Sequence, residues 1–510
     1  MSNNTEKEMA PPAVSSADVA ARISAGREAQ REWGRLSVSR RAKILKPVAA
    51  YLADHGEELS DLISRENGKV KLDALATELL PAAMAMAYYI KQAPRVFRSR
   101  TIRGGSIFMF NKKSRMEYRP YGVVGIISPW NYPFSIPFSE IVMALLAGNG
   151  VVLKVASDTL GIGRALDKIF SSLGLPAGLF SYVEIPGKEA GPAFISGGVD
   201  KLFFTGSTAV GRELMALAAP RLLPLVLELG GADAAVIRED ADLGRAAAGI
   251  LWAGFSNAGQ SCGGVQRVLV HRAVYEPFLA KLSVLVGALR IGSSMDSDMG
   301  PMTTLRQKEA VRGQIKTCLD MGARIAAQSP GADLGDDSLF APAMILTNVT
   351  DEMPIMMDEI FGPVVGVIPV EDDREALRIA NASSYGLTGS VWSRDRRRAK
   401  EIAREMNAGA IMVNDHLMSH GLAETPWGGF GDSGLGRTHG AMGLMEMVKP
   451  KVVVDEILPG IKKNIWWQPY SEKVYRGLGA ILTAVAGSSI GRRIGALPGV
   501  MKIFFRYWEK

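Results

Sequence analysis

The sequence predicts an α/β fold with two parallel-sheet domains and a small β-hairpin outside them. From Val123 onward, short apolar runs alternate with amphipathic helical patterns. Runs that are apolar throughout are typical of parallel strands covered by helices on both faces. The alternation resumes with different segment lengths after Leu229, which indicates a second domain. A length of 510 residues with 47% apolar side chains fits two or three packed domains.

The individual elements are predicted from the same alternation. The first half has predicted strands VVGIIS at 123–128, VVLKV at 151–155, LFSYVE at 179–184, KLFFTG at 201–206 and PLVLEL at 224–229. The helices between them are predicted at 135–147, 158–173 and 208–219. The second half has predicted helices at 242–255, 275–290 and 305–321 and predicted strands at 266–271, 361–370, 387–393 and 408–414. Residues 106–110 and 114–119 flank the polar turn NKK and are predicted to form the hairpin.

Cysteine content and the N-terminus indicate the cellular setting. The two cysteines, Cys262 and Cys318, are not part of a C-x-x-C pair. This disfavours a disulfide-stapled secreted protein and a structural zinc site, and it favours a reducing, cytoplasmic setting. The first residues are polar and lack the apolar core of a signal peptide, so we expect residues 1–20 to form a flexible arm.

The formal charge of +7 comes from residues 461–510. This tail has nine Lys or Arg and two Glu, whereas the rest of the chain has 50 basic and 50 acidic side chains. A neutral body disfavours nucleic-acid binding. The tail also has eight aromatic residues around the short apolar run GLGAILTAVAGSSIG. Aromatic and basic residues beside a modest apolar stretch predict a peripheral membrane contact, with packing on the same or a partner subunit as the alternative.

Six motifs occur in order along the chain. They are SPWNYPF at 128–134, KLFFTGSTAVG at 201–211, ELGG at 228–231, GQSC at 259–262, EIFGP at 359–363 and PWGGFGDSGLGR at 426–437. In order and spacing they resemble the motifs of the aldehyde dehydrogenase superfamily, over residues 20–457. One glycine pattern would be weak evidence, but six collinear motifs are hard to reach by chance.

The resemblance implies a Rossmann-like coenzyme-binding domain, a catalytic domain, and an oligomerisation element made of the hairpin and a later strand. The predicted boundaries are 1–20 for the arm, 21–105 and 121–229 for the coenzyme-binding domain, 230–445 for the catalytic domain, 106–120 and 446–457 for the oligomerisation element, and 458–510 for a basic amphipathic tail. A homodimer or homotetramer is expected.

The resemblance makes Cys262 the nucleophile, Glu228 the general base and Asn131 an oxyanion donor. Cys262 lies among small residues, so that a substrate could approach its sulfur closely. An amide can stabilise an oxyanion without a competing charge, and burial can raise the pKa of a strand-end carboxylate towards neutrality. Taken singly, each residue could instead be structural, as a buried thiol, a strand-end cap and a turn amide.

The resemblance also implies NAD or NADP as the cofactor. The strand, glycine turn and helix of KLFFTGSTAVG would present backbone N–H groups to a pyrophosphate, although glycine at such a junction often serves geometry alone. The predicted cofactor-binding residues are Trp130, Lys154, Ser157, Gly206, Ser207, Gly211, Glu359 and Phe361. Among them, Lys154 is expected to bind the adenosine ribose and Glu359 the nicotinamide ribose, with Phe361 beside the ring.

Two positions depart from the family pattern. Many members have a glutamate where this chain has Ser157. Without that carboxylate a 2′-phosphate is not repelled, so NADP is predicted to be accepted, although the neighbouring Asp158 could disfavour it by charge. Thr438 stands where some relatives have an acidic residue that assists the base, so Glu228 is expected to act alone.

His416 and His420 are four residues apart and could share a helix face as metal ligands. A third ligand at suitable spacing is lacking and the chemistry above needs no metal, so no metal site is predicted. We expect both histidines to line the substrate entrance.

The predicted function is the NAD(P)-dependent oxidation of a hydrophobic aliphatic, fatty or aromatic aldehyde to its carboxylic acid, through a thiohemiacetal and a thioester on Cys262. A semialdehyde dehydrogenase, for example for succinate semialdehyde, is an alternative that needs a cation in the substrate site. A non-catalytic scaffold and a CoA-acylating enzyme are further alternatives, and Glu228 argues against the latter. The enzyme is expected in the cytoplasm, with its tail at the inner face of a membrane.

Overall fold

A computed structural model describes residues 15–330 and 338–509. The chain divides into two compact units, one containing the described residues up to Arg98 with Tyr118–Lys449, and the other containing Ser99–Glu117 and the described residues from Pro450 onward. The first 14 residues of the predicted arm lie outside the described residues. From Ser16 the chain is helical, because Ser15 caps the helix by accepting a hydrogen bond of 3.2 Å from the N–H of Asp18.

Helices and strands alternate along the chain. The helices are α1 Ser16–Trp33, α2 Val38–Leu45, α3 Pro47–Asp54, α4 Gly56–Asn67, α5 Lys71–Ala74, α6 Leu80–Val96, α7 Ser135–Ala147, α8 Leu160–Ser171, α9 Gly187–Gly197, α10 Thr208–Ala218, α11 Leu243–Phe255, α12 Tyr275–Gly287, α13 Leu305–Asp320, α14 Pro354–Met357, α15 Asp373–Ala380, α16 Arg396–Glu405, α17 Gly440–Glu446, α18 Glu472–Ala486, α19 Ile490–Gly495 and α20 Leu497–Phe504. The strands are β1 Arg100–Ile102, β2 Lys112–Pro120, β3 Val123–Ile127, β4 Gly150–Lys154, β5 Phe180–Tyr182, β6 Lys201–Thr205, β7 Leu225–Glu228, β8 Asp233–Ile237, β9 Val265–His271, β10 Arg324–Gln328, β11 Met344–Thr347, β12 Val364–Val370, β13 Tyr385–Gly386, β14 Thr388–Trp392, β15 Ala410–Val413, β16 Phe430–Gly431, β17 Gly434–Leu435 and β18 Val448–Glu456.

Two mostly parallel sheets form the core of the first unit. The six-stranded sheet has the order β17-β7-β6-β3-β4-β5, with β17 antiparallel to β7. The seven-stranded sheet has the order β10-β11-β12-β9-β8-β14-β15, with β10 antiparallel to β11. Strands β3, β4 and β6 are buried at every residue, as expected for parallel strands between two helical layers. The α/β fold class predicted from the sequence is confirmed.

Strand β17 joins the first sheet although it comes from the late glycine-rich motif. Gly434 pairs with Glu228 at the end of β7. A Cβ on Gly434 would lie 1.9 Å from the carbonyl oxygen of Leu227, and its φ of +129° is in the region that favours glycine. This close approach brings residues after Trp427 against the strand end that bears Glu228.

The hairpin of the second unit differs from the prediction. Strand β1 pairs antiparallel with β2, whereas Ile107–Met109 form a 3-10 turn. The prediction of a strand at 106–110 is therefore wrong. Ser106 caps the turn by accepting a hydrogen bond of 3.2 Å from the N–H of Phe108. The rings of Phe108 and Phe110 pack on Phe504 instead of extending along a ladder.

The C-terminal helices of the second unit pack on this hairpin. Tyr507 is fully buried and donates its hydroxyl hydrogen bond to the carbonyl oxygen of Phe108 at 3.0 Å. The ring of Phe110 lies 5.7 Å from that of Phe504 and 5.5 Å from that of Tyr507. One face of the tail is thus buried within its own unit. Among residues 15–330 and 338–509, no helix has the length and apolar character needed to cross a bilayer.

A buried ion pair in the first unit fixes the turn that carries Asn131. Lys69 Nζ lies 2.8 Å from Glu78 Oε1, and both side chains are fully buried. Lys69 also donates to the carbonyl oxygen of Asn131 at 2.9 Å. Glu78 Oε2 accepts hydrogen bonds from the backbone N–H groups of Phe134 and Ser135 at 3.0 and 2.8 Å, at the start of α7. The pair therefore joins the segment before α6 to the first turn of α7.

Removing one member of this pair should be strongly destabilising. We expect Glu78→Ala to lower the free energy of unfolding by about 3–5 kcal/mol, because it leaves the Lys69 charge buried without its anionic partner. Guanidinium denaturation followed by circular dichroism measures the change. The exposed pair of Lys316 and Asp320 on α13 provides the control, since Asp320→Ala should change stability little. Equal effects of the two substitutions would contradict the assignment.

Candidate active site

Cys262 follows a loop of unusual backbone conformation at the end of α11. Asn257, Ala258 and Gly259 have φ values of 53°, 53° and 68°, which residues other than glycine adopt mainly where the fold imposes strain. Gln260 Nε2 donates to the carbonyl oxygen of Asn257 at 3.0 Å, and Asn257 Nδ2 donates to that of Gln260 at 3.2 Å. These bonds hold the turn, and Cys262 follows it with a half-buried side chain.

Cys262 is the one described residue that borders both of two cavities. The first, which we call the polar cleft, is lined by Pro129, Trp130, Asn131, Thr205, Gly206, Ser207, Glu228, Leu229, Gly230, Cys262, Arg306, Gln307, Glu359 and Phe361. The second, which we call the apolar pocket, is lined by Ala76, Thr77, Leu80, Pro81, Met84, Tyr132, Ile136, Trp252, Ser261, Cys262, Leu417, Met418, His420, Gly421 and Trp427. The Cys262 sulfur can therefore contact one molecule in the polar cleft and another in the apolar pocket.

The surroundings of Cys262 favour the neutral thiol. Burial raises the pKa of the thiol above its usual range, and the nearby carboxyl groups of Glu359, Asp233 and Glu228 raise it further. A hydrogen bond with the backbone of Gly263 acts weakly in the opposite direction. Nucleophilic attack therefore requires a group that takes the proton.

Glu228 ends β7 and lines the same cleft as Cys262. It is 5% exposed, and neither carboxyl oxygen has a hydrogen-bond partner among the described residues. Burial raises its pKa well above the usual value; Glu140 raises it further, and Arg437 lowers it. A buried carboxyl group with a raised pKa and with oxygens that lack hydrogen-bond partners among the described residues can serve as a general base.

Glu140 is an ionisable residue of this region that the sequence analysis missed. It lies on α7, whose residues are all buried, and burial raises its pKa to about 8. Its Oε2 has no hydrogen-bond partner among the described residues. The available signal was a carboxylate inside the otherwise apolar helix sequence SIPFSEIVMALLA.

Asn131 lies against the loop that precedes Cys262. Its Nδ2 donates to the carbonyl oxygen of Gln260 at 3.1 Å, and its Oδ1 has no partner among the described residues. The carbonyl oxygen of Asn131 accepts hydrogen bonds from Lys69 and from Asn257 Nδ2 at 2.9 and 3.0 Å. The structure thus brings Asn131, Glu228 and Cys262 to one cleft, as the sequence analysis expected.

The turn after β7 approaches two site residues too closely for side chains. A Cβ on Gly231 would lie 2.2 Å from the carbonyl oxygen of Cys262, and a Cβ on Gly230 would lie 2.4 Å from Glu359 Oε2. The N–H of Gly231 donates to Glu359 Oε1 at 3.1 Å. Burial raises the pKa of Glu359 to about 7, and this hydrogen bond limits the rise. Space therefore requires glycine at Gly231, where the contact is with backbone, whereas a side chain at Gly230 would have to displace the Glu359 carboxyl group.

Phe361 and Trp130 form an aromatic wall of the polar cleft. Phe361 has a φ of 55°, and its ring lies edge-on to that of Trp130 with the centroids 5.4 Å apart. Gln307 Nε2 donates to the carbonyl oxygen of Phe361 at 3.2 Å and so holds the strained turn.

The N-terminus of α10 opens onto the polar cleft through Gly206 and Ser207. Ser207 caps the helix, and its hydroxyl accepts from the N–H of Val210. Gly211 does not line the cleft. Gly211 packs closely against the side chain of Leu229, because a Cβ added to the glycine would lie 2.7 Å from Leu229 Cδ2.

Lys154 and Ser157 lie outside the residues that line the cleft, at the carboxyl end of β4. Lys154 is 5% exposed, and burial lowers the pKa of its ammonium group while Asp158 opposes the effect. Its Nζ lies next to Gly187, the first residue of α9, because a Cβ added to that glycine would be 3.5 Å from the nitrogen. Ser157 is exposed.

The two histidines of NDHLMSH have different surroundings. His420 lines the apolar pocket, with its ring 4.9 Å from that of Trp427. His416 is 1% exposed and its Nδ1 is 2.8 Å from Ser390 Oγ. The expectation that both line the entrance therefore needs correction for His416. No group of three or more His, Cys, Asp or Glu side chains able to hold a metal ion occurs among residues 15–330 and 338–509.

The polar cleft has features that suit a nicotinamide dinucleotide. Gly206 has no space for a side chain, since a Cβ would lie 2.5 Å from Phe204 Cζ. The buried hydroxyl of Thr205 has no hydrogen-bond partner among the described residues. A helix N-terminus opens onto the same cleft and can stabilise a pyrophosphate, and Glu359 offers a carboxylate for ribose hydroxyls.

The chain has relatives of known name and structure. Its residues 3–453 match the aldehyde dehydrogenase family. It is 36% identical over 465 residues to a 4,4'-diapolycopene aldehyde oxidase of Methylomonas sp., covering 91% of this chain and 86% of the relative. It is also 36% identical over 447 residues to a protein of Mycolicibacterium smegmatis named as an NADP(+) succinate-semialdehyde dehydrogenase, covering 87% of this chain and 85% of the relative.

Solved structures of aldehyde dehydrogenases are also similar to this chain. An aldehyde dehydrogenase of Mycobacterium tuberculosis in complex with NAD+ superposes with a TM-score of 0.82 at 33% identity, over 88% of this chain and 91% of that chain. A betaine aldehyde dehydrogenase of Staphylococcus aureus with NAD+ has a TM-score of 0.83 at 29% identity, over 89% of this chain and 90% of that chain. The predicted family is thereby confirmed. The chain belongs to the aldehyde dehydrogenase family, the NAD(P)-dependent oxidoreductases that act on the aldehyde group.

Proposed function

We propose that the protein oxidises a hydrophobic aldehyde to its carboxylic acid with NAD or NADP, through a thioester on Cys262. The observation that carries the proposal is the position of Cys262 between the polar cleft and the apolar pocket. An aldehyde whose chain fills the apolar pocket has its carbonyl carbon at the sulfur, on the side that faces the cleft.

In the first half of the reaction, the Cys262 thiol gives its proton to solvent water and the sulfur bonds to the aldehyde carbon. The carbonyl oxygen then carries a negative charge, which the amide of Asn131 and the backbone N–H of Cys262 stabilise by donating hydrogen bonds. A bound nicotinamide cofactor would supply the hydride acceptor for this carbon. Glu359, Phe361 and Trp130, which line the polar cleft, would hold the cofactor there.

In the second half, Glu228 takes a proton from a water molecule, whose oxygen attacks the thioester carbon. The carbon–sulfur bond breaks, Glu228 passes its proton to the sulfur, and the carboxylic acid leaves. The raised pKa of Glu228 suits this exchange, because a base with an ordinary carboxylate pKa would take up a proton poorly at neutral pH.

The lining of the apolar pocket favours a hydrophobic substrate over a semialdehyde. Among its lining residues there is no Lys, Arg, Asp or Glu side chain. The carboxylate of a substrate such as succinate semialdehyde would lose its hydration there without gaining a cationic partner. Leu80, Met84 and Met418 line the pocket and are also 54%, 45% and 43% exposed, so they form an apolar mouth.

We also propose that the chain forms a homodimer or homotetramer and touches a membrane from the cytoplasmic side. Strand β18 is an edge of the three-stranded sheet β1-β2-β18, and Val452, Val453 and Val454 on it are about half exposed. An edge strand of this kind can pair with a second copy. Residues 461–510, with nine basic and two acidic side chains, supply the charge for contact with anionic lipid.

Replacing the general base should separate the two halves of the reaction. We expect Glu228→Gln to give a burst of reduced cofactor of about one equivalent per active site. The steady-state rate should fall by about 100- to 10,000-fold, because the thioester is no longer hydrolysed. Stopped-flow absorbance measures both. Cys262→Ala should abolish the burst, whereas Cys318→Ala should keep the burst and turnover. Normal turnover in Glu228→Gln would refute the role.

Changing the mouth of the apolar pocket should affect long substrates selectively. We expect Met84→Gln to lower kcat/KM for dodecanal by about 10-fold, because the polar amide replaces apolar contact with the chain. The value for propanal should change little, since its chain is too short to reach the mouth. Met295 is 70% exposed and does not line the pocket, so Met295→Gln is the matched control. Equal losses for both aldehydes would exclude this binding mode.

Cofactor choice should depend on position 157. We expect the unaltered enzyme to use NADP with an efficiency within about 1,000-fold of that with NAD, a difference below about 4 kcal/mol. Ser157→Glu should lower the NADP value by about 10-fold or more while sparing NAD, because the added carboxylate repels the 2′-phosphate. Asp158→Asn should shift the ratio the other way. A ratio of NADP to NAD efficiency unaffected by both substitutions would place the 2′-phosphate elsewhere.

A further inference from the structure

The end of the chain has an apolar stripe that faces outward. Its members are Ile490, Ile494, Leu497, Met501, Phe505 and Trp508, with exposed fractions of 76%, 60%, 49%, 66%, 68% and 48%. They are spaced by four, three, four, four and three residues across α19, α20 and the final 3-10 turn Phe505–Trp508. This spacing is that of one helix face. We call these six residues the outer stripe.

On α20 and the final turn the outer stripe is a second apolar face, because the opposite side of these elements is already packed. Val500, Ile503 and Tyr507 are buried within the second unit. Ile503 and Tyr507 pack with Val474 of α18 and with Ile465 of the segment before it, whereas α19 has no buried residue. The core of this unit therefore does not need the outer stripe, and a helix that is apolar on both faces has a second apolar environment to meet.

Basic side chains border the outer stripe. Arg492 and Arg493 lie between the first two stripe residues, and Lys502 follows Met501. The structure records no ion pair for these three side chains within residues 15–330 and 338–509. Arg493 donates to the carbonyl oxygen of Gly487 at 2.7 Å and keeps its charge. Lys502 shares a cavity with the carboxyl groups of Glu472 and Glu509. An apolar stripe with cations close to it in the sequence combines the two features that interfacial helices use.

We propose that the outer stripe inserts into the headgroup and upper acyl region of an anionic lipid bilayer. The proposal rests on the membrane contact of residues 461–510 proposed above and names the surface that makes it. Apolar side chains would enter the acyl boundary, and Arg492, Arg493 and Lys502 would meet lipid phosphates. The indole of Trp508 suits the boundary itself, since its ring is apolar and its N–H is polar.

Charge argues for lipid over a second copy of the same face. In a twofold contact between two outer stripes, Arg492, Arg493 and Lys502 of one copy would face the same three cations of the other. Their repulsion would oppose the apolar contact. An anionic bilayer supplies apolar chains and negative charge together, and so matches both features of the face.

Vesicle flotation of the full-length protein tests the proposal. Vesicles of phosphatidylcholine with phosphatidylserine are compared with vesicles of phosphatidylcholine alone. We expect the unaltered protein to float with the anionic vesicles. The double variant Ile494→Ser and Phe505→Ser should reduce the bound fraction by about 10-fold, and Arg492→Gln with Arg493→Gln should reduce it and weaken its salt dependence. The rate of propanal oxidation without vesicles should be unchanged in all variants, which shows that they are folded.

The matched control makes the same kind of substitution on exposed apolar residues of the first unit. Leu222 and Val284 are 88% and 72% exposed, and Leu222→Ser with Val284→Ser should float as the unaltered protein does. If the unaltered protein does not float, the membrane contact itself is refuted. If it floats and the outer-stripe variant floats equally, the contact stands but the outer stripe does not make it. If the outer-stripe variant instead lowers the oligomeric mass in light scattering, the face binds a second copy and the proposal is overturned.

Discussion

The close approach of the turn after β7 to two neighbouring segments is the constraint on which the site depends. Gly231 leaves space for the carbonyl of Cys262, and Gly230 lies against the carboxyl group of Glu359, so Glu228, Cys262 and Glu359 come to one cleft around a turn of two glycines. The hydrogen bond from Gly231 to Glu359 fixes this arrangement. A side chain at Gly231 would collide with the Cys262 backbone, and one at Gly230 would displace the Glu359 carboxyl group.

Much of the fold and of the site was accessible from the sequence because both depend on local patterns. Helix α7 has the bounds that its apolar pattern predicted, and the five strands of the first half lie where predicted, since continuous apolar runs suit parallel strands. Asn131 and Glu228 share a cleft because Asn131 follows β3 and Glu228 ends β7, two parallel strands on either side of β6 whose carboxyl ends lie at one sheet edge. Cys262 reaches the cleft from the second predicted domain. The family resemblance predicted this position, and no local sequence pattern did so.

What could not be predicted depends on contacts between distant segments. The apolar pocket takes its lining from α6, α7, α11 and the loop around His420, whose sequences look like ordinary amphipathic helices and turns. Glu140 lies in a predicted helix, and the sequence did not reveal that its carboxyl group is buried. The hairpin strand was misplaced because Phe108 and Phe110 have strand-like side chains, and only the packing of Phe504 and Tyr507 explains why they form a turn. Gly211 has a packing role that its motif did not distinguish from phosphate binding.

The raised pKa of the Cys262 thiol has a consequence for the lifetime of the enzyme. Peroxide attacks thiolates and hardly reacts with thiols. Since burial raises the pKa of Cys262, the resting protein resists conversion to a sulfenic acid, and its sulfur becomes vulnerable mainly when a base has removed its proton during turnover. The other sulfhydryl, Cys318, is 1% exposed. Oxidation at Cys262 should therefore track the rate of catalysis more closely than the time of storage.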